Sequence, residues 1–121
     1  AGSPREFLRG IREAGVTPDI VAVHAYGFPP YNQLDDVVRE AREIFPRVPV
    51  WATEVGSEGG RTDPTTLKLD IAGTFTWMRL HPEVRVFWYV AWGDQESSVW
   101  DQDTFAPRPG NEQIVTGGPY R

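Results

Sequence analysis

One glutamate at the end of an apolar run is the residue best placed for chemistry. Glu54 follows the run 48–53, and Gly56 interrupts the apolar pattern two positions later. Such a run, rich in β-branched and aromatic residues, predicts a buried strand, and parallel-sheet proteins bind ligands at the carboxyl ends of their strands. A carboxylate at that position can act as a nucleophile or as a general acid or base. The alternative is a surface glutamate that follows a core strand.

Two further runs end in side chains suited to a ligand site. Residues 19–27 are apolar until His24 and Tyr26, which is the pattern of a parallel strand covered on both faces. Residues 84–92 form the third run, and Trp92 closes it. A hydroxyl or imidazole N–H beside Glu54 would hold the carboxylate in place and favour its charged form.

Helical patterns separate these runs and predict an alternating architecture. The first helix begins at Pro4 and stops at Gly15, the second is capped by Asn32 and ends before Pro46, and the third begins at Asp63-Pro64. The apolar face of the third helix is expected to carry Leu67, Ile71, Phe75 and Met78.

The order helix, strand, helix, strand, helix, strand predicts right-handed crossovers and a parallel sheet. The residues Tyr26, Glu54 and Trp92 are 28 and 38 positions apart. A (β/α)₈ barrel of about 250 residues uses roughly 31 residues per unit, so the spacing fits a barrel. An open doubly wound sheet has similar spacing, but the sequence has no Gly-rich phosphate loop to favour it. Residues 101–121 show no helical period and are expected to form an irregular tail.

Strand alternation predicts which side chains share the face of Glu54. If Glu54 faces the barrel axis, regular alternation places Ala52 and Val50 there too. If Tyr26 faces the axis, so do His24 and Ala22, and if Trp92 does, so do Val90 and Trp88. The same alternation turns these residues toward the helices: Val21, Val23, Trp51, Phe87 and Tyr89.

The composition excludes several classes of function. A net charge of -5 without any run of Lys or Arg argues against nucleic acid or an anionic membrane as the partner. The chain has no cysteine, which excludes disulfides and thiolate metal sites, and no stretch approaches the roughly 20 apolar residues of a membrane span. Only His24 stands near candidate carboxylates, so we expect neither a metal nor a cofactor. The chain of 121 residues corresponds to one domain or part of one.

Three segments together resemble a known family. His24-Ala25-Tyr26, the run from Trp51 to Gly56 and the run from Trp88 to Trp92 are similar to strands six, seven and eight of the clan-A glycoside hydrolases, which are retaining (β/α)₈ enzymes. The resemblance extends to about position 100 and implies an α/β fold: the C-terminal part of a TIM barrel with helices five to seven, incomplete alone. Residues 1–121 would form this partial barrel.

The resemblance also implies an activity, the hydrolysis of β-glycosidic bonds in an oligo- or polysaccharide. It assigns Glu54 as the nucleophile, and it assigns substrate contacts to these residues: His24, Tyr26, Trp88, Trp92 and Asp94. A tryptophan can stack on the apolar face of a sugar ring. Many such enzymes are secreted, which is the expectation for the location of this protein.

One part of the family pattern is missing from the sequence. The family places its acid/base glutamate at the end of strand four, and this chain begins around helix five. We therefore expect the acid/base to come from a complementary N-terminal half barrel, and the chain alone to be inactive. Without that half, or another copy of the chain, the sheet would have open edges.

Two other functions remain compatible with the sequence. The first is a non-catalytic carbohydrate-binding or scaffold half barrel that uses Trp88, Trp92 and Trp100 as stacking surfaces. The second is a different barrel hydrolase or lyase in which Glu54 is a general base, so that no covalent glycosyl-enzyme intermediate forms.

Overall fold

The computed structural model describes residues 4–27, 30–57, 64–88, 99–101 and 103–109. Helices and strands alternate along this part of the chain, as predicted. The elements are α1 (Pro4–Glu13), β1 (Val21–Gly27), α2 (Pro30–Ile44), β2 (Val50–Ser57), α3 (Pro64–Leu80) and β3 (Arg85–Trp88). No helix among these residues is long and apolar enough to cross a membrane.

The three strands form one parallel sheet in the order β1-β2-β3. The sheet order follows the chain order, so α2 and α3 each connect neighbouring parallel strands, as in successive units of a βα barrel. One face of the sheet packs against the helices. The main core cluster joins strand residues such as Val23, Ala25 and Val55 to helix residues such as Leu34 and Val38.

The first helix ends in a Schellman motif at the predicted glycine. Gly15 has φ 78°, the left-handed conformation that glycine adopts without steric cost. Its N–H bonds to the carbonyl of Arg12, and the N–H of Val16 bonds to the carbonyl of Ile11. The start of the second helix was predicted wrongly. The helix α2 begins at Pro30, whose fixed φ suits a first helical position, so Asn32 lies inside the helix and does not cap it.

The second half of the third helix buries a different residue from the predicted one. Leu67 and Ile71 are buried as expected, but Phe75 is exposed and Trp77 is buried in its place. The indole N–H of Trp77 donates a 2.7 Å hydrogen bond to Asp35 on α2. This bond satisfies the polar atom of the ring, so the rest of the ring can pack in the core.

A β-bulge changes the alternation of side chains in β2. Val23 pairs with Ala52, but the next pair along is His24 with Glu54, so Thr53 is an extra residue. An extra residue of this kind shifts the alternation by one position, so side chains that follow it point to the face opposite the one that regular alternation predicts from the side chains before it. The prediction for the first half of β2 was therefore wrong. Val50 and Ala52 are buried on the helix side, together with Val55.

The prediction for β3 was wrong as well, because its faces were assigned by alternation counted back from Trp92. Trp88 pairs with Val55 and packs against the helix-side clusters, so it does not share the face of Glu54. Phe87 lies on the opposite face, where its ring centroid is 6.2 Å from that of Trp51. The expected orientations of Val21, Val23, His24 and Tyr26 are confirmed, because the two valines are buried in the core cluster and the two polar residues are not. Tyr89, Val90 and Trp92 lie outside the described residues.

Candidate functional site

Glu54 and Tyr26 meet at the carboxyl end of the sheet. The hydroxyl of Tyr26 donates a hydrogen bond of 2.7 Å to Oε2 of Glu54. The Nδ1 atom of His24 lies 3.6 Å from the same oxygen. The structure thus brings together three of the residues that the sequence predicted for the site. They lie on the sheet face opposite the helices, which is the interior face of a barrel.

The strand register places these three side chains. His24 and Glu54 occupy paired positions, and Tyr26 is two residues farther along β1, so its side chain projects from the same face. The bulge at Thr53 is what turns Glu54 to this face. A bond of 3.2 Å from the N–H of Tyr26 to Oε1 of Gln33 ties the end of β1 to the start of α2.

The geometry leaves Glu54 able to react. Its side chain is 38% exposed, and that of His24 is 54% exposed. Only Oε2 accepts hydrogen bonds from the described residues, whereas Oε1 accepts none there. A partly exposed carboxylate with one oxygen held by a hydroxyl can attack an electrophilic carbon or accept a proton.

The remaining predicted site residues are placed differently. Trp88 is partly buried and packs against Leu67, Ile71 and Val99 on the helix side, which does not favour contact with a ligand beside Glu54. Trp92 and Asp94 lie outside the described residues. For these three, the substrate contacts stay predictions.

A cluster that sequence reasoning missed lies on the same face as Glu54. The guanidinium of Arg85 lies 5.1 Å from the centroid of the Trp51 ring, and Phe87 packs beside that ring. Trp51 pairs with Ala22 on one side and Arg85 on the other, toward the amino ends of the strands. The bulge at Thr53 places Trp51 on the same face as Glu54. Regular alternation in the sequence gives no sign of that bulge, so it could not predict the cluster.

A buried pair anchors the end of the strand that carries Glu54. The hydroxyl of Ser57 donates a 2.7 Å hydrogen bond to Asp70 on α3. Both residues are almost completely buried. Burial raises the pKa of the Asp70 carboxyl, and the hydrogen bond from Ser57 opposes this in part. The sequence analysis did not identify this pair, because its members are 13 positions apart in different elements.

The described residues contain no group of three or more His, Cys, Asp or Glu side chains that could hold a metal ion. The site next to Glu54 offers one carboxylate and one imidazole, which is fewer ligands than a zinc or calcium site requires. The chemistry of the described residues is therefore that of an oriented carboxylate.

The fold is similar to that of two solved glucanases. One is a GH128 (subgroup II) endo-β-1,3-glucanase from Sorangium cellulosum, with a TM-score of 0.71 and 15% identity over 96% of this chain and 48% of that chain. The other is a GH128 (subgroup I) endo-β-1,3-glucanase from Amycolatopsis mediterranei, in complex with laminaritriose and laminaribiose. Its TM-score is 0.64, with 16% identity over 88% of this chain and 48% of that chain.

The chain spans about half the length of these two structures. At such identities the likeness shows the fold, a set of parallel βα units that corresponds to part of a TIM barrel. No curated protein sequence matches the chain. A family profile does match it, that of the glycosyl hydrolase catalytic core, over residues 4–114. This match covers nearly the whole chain, and the chain therefore belongs to the glycosyl hydrolase catalytic core family.

Proposed function

We propose that this chain is the C-terminal part of a retaining β-glycosidase in which Glu54 is the nucleophile. The observation that carries the proposal is the 2.7 Å hydrogen bond from Tyr26 to Glu54 at the carboxyl end of a parallel sheet. Catalytic residues of TIM barrels lie at that end of the strands. Membership of a glycosyl hydrolase family supports the reaction class.

In the first step, one carboxylate oxygen of Glu54 attacks the anomeric carbon, and the bond to the leaving group breaks. A second carboxyl group, about 5 to 5.5 Å away in retaining enzymes, protonates the departing oxygen. A water molecule then releases the sugar from Glu54, and the second group accepts the proton of that water. Tyr26 would fix the carboxylate along the line of attack, because its hydroxyl occupies Oε2, whereas Oε1 accepts no hydrogen bond from the described residues.

We assign the acid/base residue to βα units outside this chain. Two observations support this assignment. The chain corresponds to 48% of each similar glucanase, and β1 has no strand partner on its outer side among the described residues. An apolar groove beside that edge, lined by Phe7, Ile11 and Ile20 among others, provides a surface on which a preceding unit could pack. The complementary half barrel is accordingly the proposed partner.

The proposed substrate is a β-1,3-glucan. Both similar structures are endo-β-1,3-glucanases, and one of them is a complex with laminaritriose and laminaribiose. In this chain, the open face around Glu54 also carries the aromatic rings of Trp51 and Phe87. Aromatic rings are suited to contact with the apolar faces of sugars.

Intact-mass spectrometry with an activated 2-deoxy-2-fluoro-β-glucoside tests the nucleophile. A dinitrophenyl leaving group departs without protonation, so the experiment does not depend on the missing acid/base. We expect a sugar-sized mass increase that maps to Glu54 and is absent in Glu54→Gln. The chain is tested alone and together with the complementary half barrel.

A folded, assembled barrel that gains no mass would contradict the nucleophile assignment. If that barrel still bound laminari-oligosaccharides after Glu54→Gln, a non-catalytic carbohydrate-binding function would replace the proposal. If it hydrolysed glucan without an adduct, Glu54 would instead be a general base.

A further inference from the structure

Residues 99–109 contain a short loop that holds an aromatic residue in an unusual conformation. Trp100 and Pro107 form an antiparallel bridge. The N–H of Asp101 bonds to the carbonyl of Ala106, and the N–H of Arg108 bonds to that of Val99, both at 2.8 Å. These bonds close the loop that we call the 101–106 loop.

The carboxylate of Asp101 organises the interior of the 101–106 loop. Its Oδ1 atom accepts hydrogen bonds from the N–H groups of Asp103 and Thr104, both at 2.9 Å, and from the Thr104 hydroxyl at 3.1 Å. The bonds from Thr104 and Asp103 hold the pKa of the Asp101 carboxyl below its usual value. The carbonyl of Asp101 also accepts the N–H of Phe105 at 3.1 Å.

Phe105 is the residue that this network holds in place. Its φ is 59°, and it is the one described residue other than glycine with a positive φ. Bulky residues rarely adopt this conformation, which costs about 1 kcal/mol or more, whereas Gly or Asn adopts it readily. Phe105 is nevertheless 64% exposed as a residue, so burial contributes little to offset that cost.

The loop stands at the same end of the sheet as Glu54. Val99, at its base, is buried against Leu67 and Ile71 in the first half of α3. Asp70 lies between those two residues and bonds to Ser57, the last residue of β2. Glu54 precedes Ser57 by three positions, so the 101–106 loop is anchored at the carboxyl end of the sheet.

We propose that Phe105 is a stacking platform for a sugar unit of a glucan chain, at the rim of the site and away from the bond that is cleaved. The proposal rests on the function proposed above. The hydrogen bonds of the loop fix the backbone from which the exposed ring projects, so the backbone would lose little entropy on binding. Its face can cover the C–H groups of a pyranose while the sugar hydroxyls stay in water.

The test compares three variants by calorimetric binding of laminari-oligosaccharides and by thermal unfolding. Phe105→Gly removes both the ring and the backbone strain, and Phe105→Trp keeps an aromatic face. Leu80→Ala is the matched control, because Leu80 is 72% exposed at the end of α3 and has no place in either proposal. We expect Phe105→Gly to unfold at a higher temperature and yet to bind long oligosaccharides about fivefold more weakly. Phe105→Trp and Leu80→Ala should bind as the original chain does.

A gain in stability together with a loss of binding is a combination that a structural role does not produce. The proposal is wrong if Phe105→Gly binds as the original chain does, if it unfolds at a lower temperature, or if the original chain binds no glucan. Labelling of Glu54 by the monosaccharide reagent separates this result from the proposed reaction, because one sugar on Glu54 does not reach an outer platform. Labelling with unchanged binding would overturn the platform alone, and the absence of both labelling and binding in the chain assembled with the complementary half barrel would overturn both proposals.

Discussion

The hydroxyl of Tyr26 donates to Glu54 across the β1–β2 boundary, although the partner of Tyr26 in the strand register is Gly56. The bond therefore runs diagonally, and it forms because the bulge at Thr53 turns Glu54 to the face of Tyr26. One backbone irregularity thus places the carboxylate, and one hydroxyl then orients it.

Tyr26→Phe tests this orientation. The variant keeps the ring and removes only the donor to Oε2, so we expect unfolding stability to change by less than about 1.5 kcal/mol. The rate of labelling of Glu54 by the fluoroglucoside should fall by about tenfold or more, because misplacement of a reacting group is costly. Rates are measured by intact-mass spectrometry over time. Unchanged labelling in Tyr26→Phe would show that the hydroxyl does not orient the nucleophile.

The two glycines associated with α1 should respond oppositely to alanine. At neither position would a Cβ meet any atom within 4 Å, so backbone conformation alone decides the outcome. Gly10→Ala lies inside the helix and should stabilise the chain by about 0.5–1 kcal/mol. Gly15→Ala places a Cβ at φ 78° and should destabilise it by about 1 kcal/mol. Urea unfolding measures both, and changes of the same sign would contradict the Schellman assignment.

The hydrogen bond between Trp77 and Asp35 should contribute to the packing of α3 on α2. Asp35→Ala leaves the buried indole N–H without its 2.7 Å acceptor and should lower the free energy of unfolding by about 1–3 kcal/mol. Asp36→Ala is the matched control, because Asp36 forms an exposed ion pair with Arg39, worth at most about 0.5 kcal/mol. The difference is measured by urea unfolding monitored through tryptophan fluorescence. Equal losses in the two variants would show that the indole bond contributes nothing beyond a surface charge.

These structural details mark how far the sequence could predict the molecule. The apolar runs and helix periods predicted the alternating elements, and the strand ends predicted the meeting of His24, Tyr26 and Glu54. These features are local, since each depends on a few neighbouring residues. The extra residue at Thr53 is also local, but no residue type identifies it, and regular alternation therefore placed Val50 and Ala52 on the wrong face.

The sequence also could not predict the hydrogen bonds between polar residues that are far apart in the chain. Ser57 bonds to Asp70, and Trp77 bonds to Asp35. The bond between Trp77 and Asp35 explains why α3 buries Trp77 where the helix period favoured Phe75. A hydrophobic period ranks positions by apolarity alone, whereas a polar partner on another element makes an amphipathic side chain suitable for burial.

Asp70 and Asp101 should give opposite pH dependences of stability. Burial raises the pKa of Asp70 in the folded chain, so as the pH rises Asp70 ionises earlier in the unfolded chain than in the folded chain. The contribution of Asp70 to stability is therefore lost as the pH rises through the folded pKa. Asp70→Asn has no charge to bury. Its stability relative to the original chain should therefore increase from pH 3 to pH 7, by about 1.4 kcal/mol for each unit of pKa difference that it removes.

Asp101→Asn is the control, for which we expect the opposite pH dependence of stability. The hydrogen bonds from Thr104 and Asp103 lower the pKa of Asp101, so its contribution is present above the unfolded pKa and is lost as the pH falls through the folded pKa. The stability of Asp101→Asn relative to the original chain should therefore decrease from pH 3 to pH 7. Urea unfolding at each pH measures both series. If Asp70→Asn lost relative stability toward pH 7, the hydrogen bond from Ser57 would outweigh burial, and Asp70 would be held ionised at the end of β2.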